Sequence, residues 1–148
     1  MPTDARTNNE VGVSQLEDEG VELRMSADPT QLSIARAVAA DIAMRQDFDL
    51  DSIEDLKLAV DETCSTLITM AAHKAVLSCR FVVNDDAVHV HAQVSSGSSA
   101  PPDRESFGWR VLTALVDSVT TWVDPASTGD GHVVHIDLVK RSAGAVNG

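Results

Sequence analysis

Hydrophobic and polar residues alternate with a period of two in two separate parts of the chain. Val21, Leu23 and Met25 alternate with polar neighbours, a spacing typical of a half-buried strand. The alternation returns over residues 79–83 and 88–94, and Asn84-Asp85-Asp86 between them has the composition of a turn. The pattern therefore predicts one early strand and a later hairpin.

Between these strands the apolar residues follow helical spacing. Asp28-Pro29, with Gln31 three residues after the aspartate, has a capping-box pattern with proline at the first helical position. Asp51 with Glu54 gives a second helix start. The spacing predicts one helix that ends near Arg45 and a second that ends near His73.

The last third of the chain predicts further elements: a loop over 95–106, a helix over 107–119, and strands over 120–123 and 132–139. The resulting order is β-α-α-β-β-loop-α-β-β. Because the strands alternate, the order predicts an α+β two-layer sandwich, a mixed sheet with helices on one face. Residues 18–141 form the predicted single domain, between flexible tails at 1–17 and 142–148.

Charge is distributed unevenly along the chain. The formal net charge is −12, and residues 10–62 carry 14 acids against four bases, a balance of −10. An acidic field repels phosphate backbones, which argues against direct nucleic-acid binding. Two interpretations stay open: the acidic half attracts a basic protein partner, or its charge serves solubility alone.

Other composition features limit the class of protein. No run approaches the roughly 20 apolar residues of a membrane helix, and no secretory signal pattern is present, so we expect a cytoplasmic location. Cys64 and Cys79 lie in apolar segments and are predicted to be buried thiols. His89, His91, His135 and Asp137 fall on strands, where a polar solvent-facing surface is favoured over a metal site.

Candidate chemistry centres on the second predicted helix. Glu62 and Thr66 are four residues apart and therefore share one helix face. A carboxylate there can orient a water or act as a general base. The alternative is an ordinary solvated acid on a helix.

The sequence resembles a known family in two segments, Leu58-Ala59-Val60-Asp61-Glu62-Thr63-Cys64-Ser65-Thr66 and Phe107-Gly108-Trp109-Arg110-Val111-Leu112-Thr113-Ala114-Leu115-Val116-Asp117. Together with the element order, they resemble the RsbW/SpoIIAB anti-sigma factors, in particular the UsfX type. This family belongs to the ATP-binding superfamily of histidine kinases, gyrase and MutL. The resemblance covers about Val21 to Lys140 and implies the Bergerat-type ATP-binding fold.

The resemblance implies a nucleotide site with altered motifs. Family members carry Glu-x-x-x-Asn, in which the glutamate is the base and the asparagine binds magnesium; here these positions are Glu62 and Thr66. The adenine-binding Asp-x-Gly-x-Gly box corresponds to Ser95 and Gly97. The glycine-rich phosphate loop retains Gly108, followed by bulky Trp109, and the loop over 95–106 corresponds to the lid. The resemblance thus implies ATP or ADP with magnesium as the cofactors, and the altered motifs imply weak or lost nucleotide binding and weak or absent kinase turnover.

The resemblance also implies function and partners. An anti-sigma factor sequesters an alternative sigma factor of RNA polymerase, forms homodimers and is displaced by anti-anti-sigma (STAS) proteins. Partner contacts are expected around the first helix, at Asp28, Arg36, Asp41 and Asp47. Two alternatives stay open: an active serine kinase that phosphorylates an anti-anti-sigma protein, and a structural dimer module without a sigma partner.

Overall fold

The computed structural model describes residues 20–143. This part forms five strands, three helices and a 3-10 turn at Pro29–Gln31. The strands are β1 (Val21–Ser26), β2 (Val76–Asn84), β3 (Ala87–Ser96), β4 (Ser118–Pro125) and β5 (His132–Arg141). The helices are α1 (Leu32–Arg45), α2 (Leu50–Met70) and α3 (Phe107–Leu115).

The strands form one sheet in the order β1-β2-β3-β5-β4. The α+β two-layer sandwich is confirmed, but every pairing between described strands is antiparallel, in place of the mixed sheet expected. The helix pair α1–α2 returns the chain antiparallel to β1. The crossover through α3 makes β4 run parallel to β3, and β5 separates these two strands.

The helices cover one face of this sheet. Large apolar side chains of α2, such as Leu56, Val60 and Leu67, are fully buried against alternate residues of the central strands, including Val90 and Ile136. Removing this apolar surface from water is the main source of stability. The alternation seen in the sequence therefore sorts the strand residues into a core face and an open face.

Several helix boundaries differ from the sequence prediction, among them the end of α2, which lies at Met70 rather than near His73. α2 begins at Leu50, because Asp49 rather than Asp51 is its N-cap and accepts a hydrogen bond from the Ser52 N–H at 3.1 Å. α3 ends at Leu115 rather than near Val119. Lys140 donates to the Leu115 carbonyl at 2.9 Å, and the chain then enters β4.

The two cysteines are free and buried, as predicted, and their sulfur atoms lie 3.5 Å apart. Hydrogen bonding to Cys79 and burial raise the pKa of the Cys64 thiol well above its ordinary value. The Cys64 thiol therefore remains protonated, and both cysteines act as core residues.

The predicted tail at 1–17 lies outside the described residues, as does 142–148 apart from Ser142 and Ala143. The amides of these two residues donate to the Asp86 carbonyl and to Ser52 Oγ, both at 3.3 Å. Within residues 20–143, no helix is long and apolar enough to cross a membrane.

Candidate functional site

An open cavity of about 340 Å³ lies between α2 and the loop that precedes α3. The residues that line it come from these two segments: Glu62, Ser65, Thr66, Thr69, Met70, Pro101, Asp103 and Ser106. Glu62, Thr66 and Thr69 recur at helical spacing, so α2 presents them along one face. The cavity thus brings together polar side chains from two separate segments.

Glu62 and Thr66 are close neighbours in this cavity, as their spacing predicts. The Thr66 hydroxyl donates to Glu62 Oε2 at 3.4 Å. This contact is long for a hydroxyl donor and therefore weak. The carboxylate keeps the free hydrogen-bonding capacity that a general base needs.

The Glu62 carboxylate also lies directly against the first turn of α3. A methyl group placed on Gly108 would come within 2.5 Å of Glu62 Oε2. Glycine is therefore the residue that leaves room for this carboxylate. The N-terminus of a helix carries partial positive charge, so Glu62 occupies the environment in which an anionic ligand is favoured.

The loop wall of the cavity is shaped by local hydrogen bonds. Ser106 caps α3, with its Oγ accepting from the Trp109 N–H at 3.1 Å. Asp103 Oδ1 accepts from the Glu105 N–H at 2.9 Å, and the Asp103 carbonyl accepts from the Ser106 N–H. These bonds place the second carboxylate of the cavity opposite α2.

The remaining predicted nucleotide residues do not line this cavity. Ser95 is exposed, and its carbonyl accepts from the Ala72 N–H at 2.8 Å. Gly97 lies in open space, with nothing within 4 Å of an added methyl group. Trp109 is only 8% exposed and packs in the core.

Several cavity residues were not identified from the sequence. Ser65 and Thr69 could have been found by extending the Glu62 face to positions three and seven residues further along the helix. Asp103 and Ser106 belong to the loop predicted as a lid, but no periodic pattern indicates which loop residues face inward. Their placement depends on the cap at Ser106.

The described lining of the cavity is negatively charged. It carries two carboxylates, Glu62 and Asp103, and no lysine, arginine or histidine. Carboxylates and hydroxyls are oxygen ligands that suit magnesium, but phosphoryl groups require cations or free helix amides. Here the carboxylate of Glu62 already faces the helix terminus.

The predicted partner residues lie on or near α1, and all but Arg36 are exposed. Arg36 forms an ion pair with Asp61 of α2 at 2.5 Å, and Asp41 pairs with Arg45 at 2.9 Å. Asp47 lies in the turn after α1 with φ 58°, and Asp28 accepts from the Thr30 N–H and hydroxyl. These hydrogen bonds lower the pKa of Asp28 below its ordinary value.

Comparison with known proteins agrees with this fold. Residues 25–136 match the model of the histidine kinase-like ATPase domain. The anti-sigma-F factor RsbW of Mycobacterium tuberculosis (strain H37Rv) is 36% identical over 124 residues, which cover 83% of this chain and 74% of that protein. The chain belongs to the RsbW family. Its expected family membership is thereby confirmed.

Relatives of the RsbW family differ in how much of their length is matched. The serine-protein kinase RsbW of Bacillus subtilis is 33% identical over 73 residues, and the chain covers 46% of it. A crystal structure of RsbU and RsbW domains from Mycobacterium tuberculosis superposes with a TM-score of 0.51 at 15% identity, over 83% of this chain and 33% of that one. This structural likeness supports the fold alone.

Proposed function

We propose that this chain is an anti-sigma factor that sequesters an alternative sigma factor of bacterial RNA polymerase in the cytoplasm. In this proposal, anti-anti-sigma proteins release the sigma factor, and phosphoryl transfer by the chain itself is weak or lost. The observation that carries the anti-sigma function is the 36% identity to the anti-sigma-F factor RsbW of Mycobacterium tuberculosis. Weak phosphoryl transfer is supported by the cavity beside Glu62, whose described lining has two carboxylates and no basic residue.

The charge argument explains why binding is favoured over chemistry. A triphosphate in this cavity would place its negative charge beside Glu62 and Asp103. Magnesium bound to these carboxylates and Thr66 would offset part of that repulsion. The cavity lining would still supply no basic side chain to stabilise the negative charge of the transferred phosphoryl group in the transition state. Enzymes that transfer phosphoryl groups owe most of their acceleration to positioning and to this kind of charge stabilisation.

A protein interface, by contrast, needs only the surface that the chain provides. Asp41 and Asp47 are exposed on or after α1, and their charges complement a basic region of a partner. Such complementarity mainly accelerates association and selects the partner. The relative from Mycobacterium tuberculosis carries the name anti-sigma-F factor, which supports the same function.

An active serine kinase is the second candidate. Two observations favour it: Glu62 lies in the cavity with its carboxylate weakly bonded, and several relatives are named serine-protein kinases. In this case Glu62 would accept the proton of the attacking serine hydroxyl.

One experiment separates the two candidates. The protein is incubated with radiolabelled ATP, magnesium and a cognate anti-anti-sigma protein, in parallel with the Glu62→Gln variant. We expect no transfer above that of the variant, while calorimetry detects binding of a purified sigma factor. Transfer that Glu62→Gln abolishes would establish the kinase, and absence of sigma binding would refute the anti-sigma proposal.

A further inference from the structure

The face of the sheet opposite the helices carries a continuous chain of side chains across three strands. Its members are Asp137 and His135 of β5, His91 of β3, and Asp124 and Trp122 of β4. The register explains the grouping, because His91 pairs with Asp137 and Trp122 pairs with His135. We call this set the histidine relay.

Three contacts connect the two imidazoles to the two carboxylates. His91 Nδ1 lies 2.6 Å from Asp137 Oδ1, and His91 Nε2 lies 3.1 Å from His135 Nδ1. His135 Nε2 lies 3.2 Å from Asp124 Oδ2. All three lie at about hydrogen-bond distance.

Counting hydrogens shows what this arrangement requires. Carboxylates only accept, so His91 Nδ1 and His135 Nε2 must both carry a hydrogen. One further hydrogen must lie between the two rings. Three contacts thus need three N–H groups, whereas two neutral imidazoles supply only two.

We propose that the histidine relay is a proton-binding site. It holds one proton in addition to the two that its imidazoles carry when both are neutral, and this proton completes the hydrogen bonds that connect β3 to β4. The relay lies on the face opposite the Glu62 cavity, and the proposal is independent of the sigma-factor proposal. The ligand is the proton itself. No group of three or more His, Cys, Asp or Glu among residues 20–143 is arranged to hold a metal ion.

The surroundings place the extra proton on His91. Gln93 Oε1 lies 3.3 Å from His91 Nε2 and provides an additional acceptor for a hydrogen there. Trp122 stacks on His135 with ring centroids 4.7 Å apart and lies tilted against His91 at 5.5 Å, so it contacts both rings and does not distinguish them. Burial, followed by the charge of His91, lowers the pKa of His135, which keeps that ring neutral.

Other charged groups on this face also act on the relay. Arg80 of β2 and His89 of β3 line a small cavity of about 120 Å³ together with His91 and Asp137. Arg80 pairs with Glu22 of β1 at 3.2 Å, and Glu22 also contacts Arg24 at 3.7 Å. The Arg80 guanidinium opposes the extra proton, while the carboxylates of Asp124 and Asp137 favour it.

The relay makes the contact between strands dependent on pH in a defined direction. When the extra proton leaves, one carboxylate faces an imidazole lone pair, so the relay weakens as pH rises through the release. At low pH a second extra proton would place two N–H groups against each other between the rings. The relay is therefore complete only within an intermediate pH window.

The test is a pH titration of ¹⁵N-labelled full-length protein, in which long-range ¹⁵N–¹H NMR reports the protonation of each imidazole nitrogen. At pH values just below the loss of the extra proton, we expect both nitrogens of His91 to be protonated. His135 should then be neutral, with its hydrogen on Nε2. Protonation of His135 before His91, or of both rings together, would overturn the proposal.

Two isosteric variants test the hydrogen count. An asparagine at either end can donate through its amide, so Asp124→Asn or Asp137→Asn satisfies all three contacts with two neutral rings. Each variant should lower the midpoint by about one pH unit or more. Asp130→Asn removes an equal charge from the β4–β5 turn and serves as the control. A shift no larger than that of Asp130→Asn in both variants would refute the count.

Discussion

At the scale of single residues, the contact between Glu62 and Gly108 determines the geometry of the cavity. The carboxylate lies where a methyl group on residue 108 would need to be. The spacing of Glu62 and Thr66 was predictable from the sequence, because four residues place them on one helix face. The approach of Gly108 was not, because it depends on how α3 crosses α2.

This contact predicts non-additive effects of mutation. Gly108→Ala gains helix propensity of up to about 1 kcal/mol but displaces the Glu62 carboxylate. In the Glu62→Ala background the displacement is absent, so the same substitution should stabilise the protein. Chemical denaturation of the four proteins in the cycle should give a coupling energy of about 0.5 kcal/mol or more.

Gly97→Ala is the matched control, since nothing lies within 4 Å of its added methyl group. It should show no coupling to Glu62→Ala. A coupling at Gly108 equal to that at Gly97 would mean that the carboxylate does not contact α3 in solution.

At the scale of elements, the N-cap of α2 makes stability depend on pH. Hydrogen bonds from Ser52 lower the pKa of Asp49. A carboxyl group with a lowered pKa in the folded state stabilises the protein fully at pH values above the pKa that it has in the unfolded chain. This stabilisation is lost as the pH falls through the pKa of the folded state. Asp49→Ala should therefore destabilise the protein at neutral pH and become progressively less harmful below about pH 4.

Asp49→Asn keeps a capping oxygen without the ionisable group. Thermal unfolding of this variant should show a stability close to the native one at neutral pH and a smaller loss on acidification. An Asp49→Ala effect of constant size between pH 7 and pH 3 would contradict the assignment of Asp49 as the charged cap.

Lys140 of β5 connects this strand to α2 and α3, and we expect its removal to lower the stability of the protein. Its ammonium group bonds Asp55 of α2 at 3.2 Å and the Leu115 carbonyl at the end of α3, and its side chain is 13% exposed. Lys140→Met should cost about 1–3 kcal/mol in urea denaturation, because both acceptors lose a charged donor. Lys57→Met, which removes the exposed pair with Glu54, should cost under about 1 kcal/mol.

The elements themselves were largely predictable. Periods of two and of about 3.6 assign every strand and helix type, because one face of each element is buried. The end of α3 was not predictable, since Val116 and Val119 continue an apolar pattern while Lys140, a distant residue, accounts for the termination. Antiparallel pairing throughout also depends on strand order, which local periodicity does not encode.

At the scale of the whole molecule, the excess of acidic residues either attracts a basic protein partner or serves solubility alone. Neutralising single aspartates distinguishes these two roles. Asp47 and Asp85 are both exposed aspartates in turns, with φ of 58° and 56°. Asparagine tolerates this conformation, so each can be neutralised without backbone strain. Only Asp47 belongs to the proposed partner surface.

We expect Asp47→Asn to weaken sigma-factor binding by about two- to fivefold, a change typical of an exposed charge pair. The loss should appear mainly in the association rate and should shrink at high salt. Asp85→Asn should leave both rates unchanged. Equal effects of the two variants, measured by surface plasmon resonance, would indicate that the charge acts only through the overall field.

The position of β5 also has a consequence for the order of folding. This strand fills the gap between β3 and β4, and it supplies Val134, Ile136 and Leu138 to the core. During synthesis, β4 cannot pair with β5 until residues 132–141 have left the ribosome. We therefore expect the sheet to form late and in one step, with the nascent chain protected from protease only after β5 emerges.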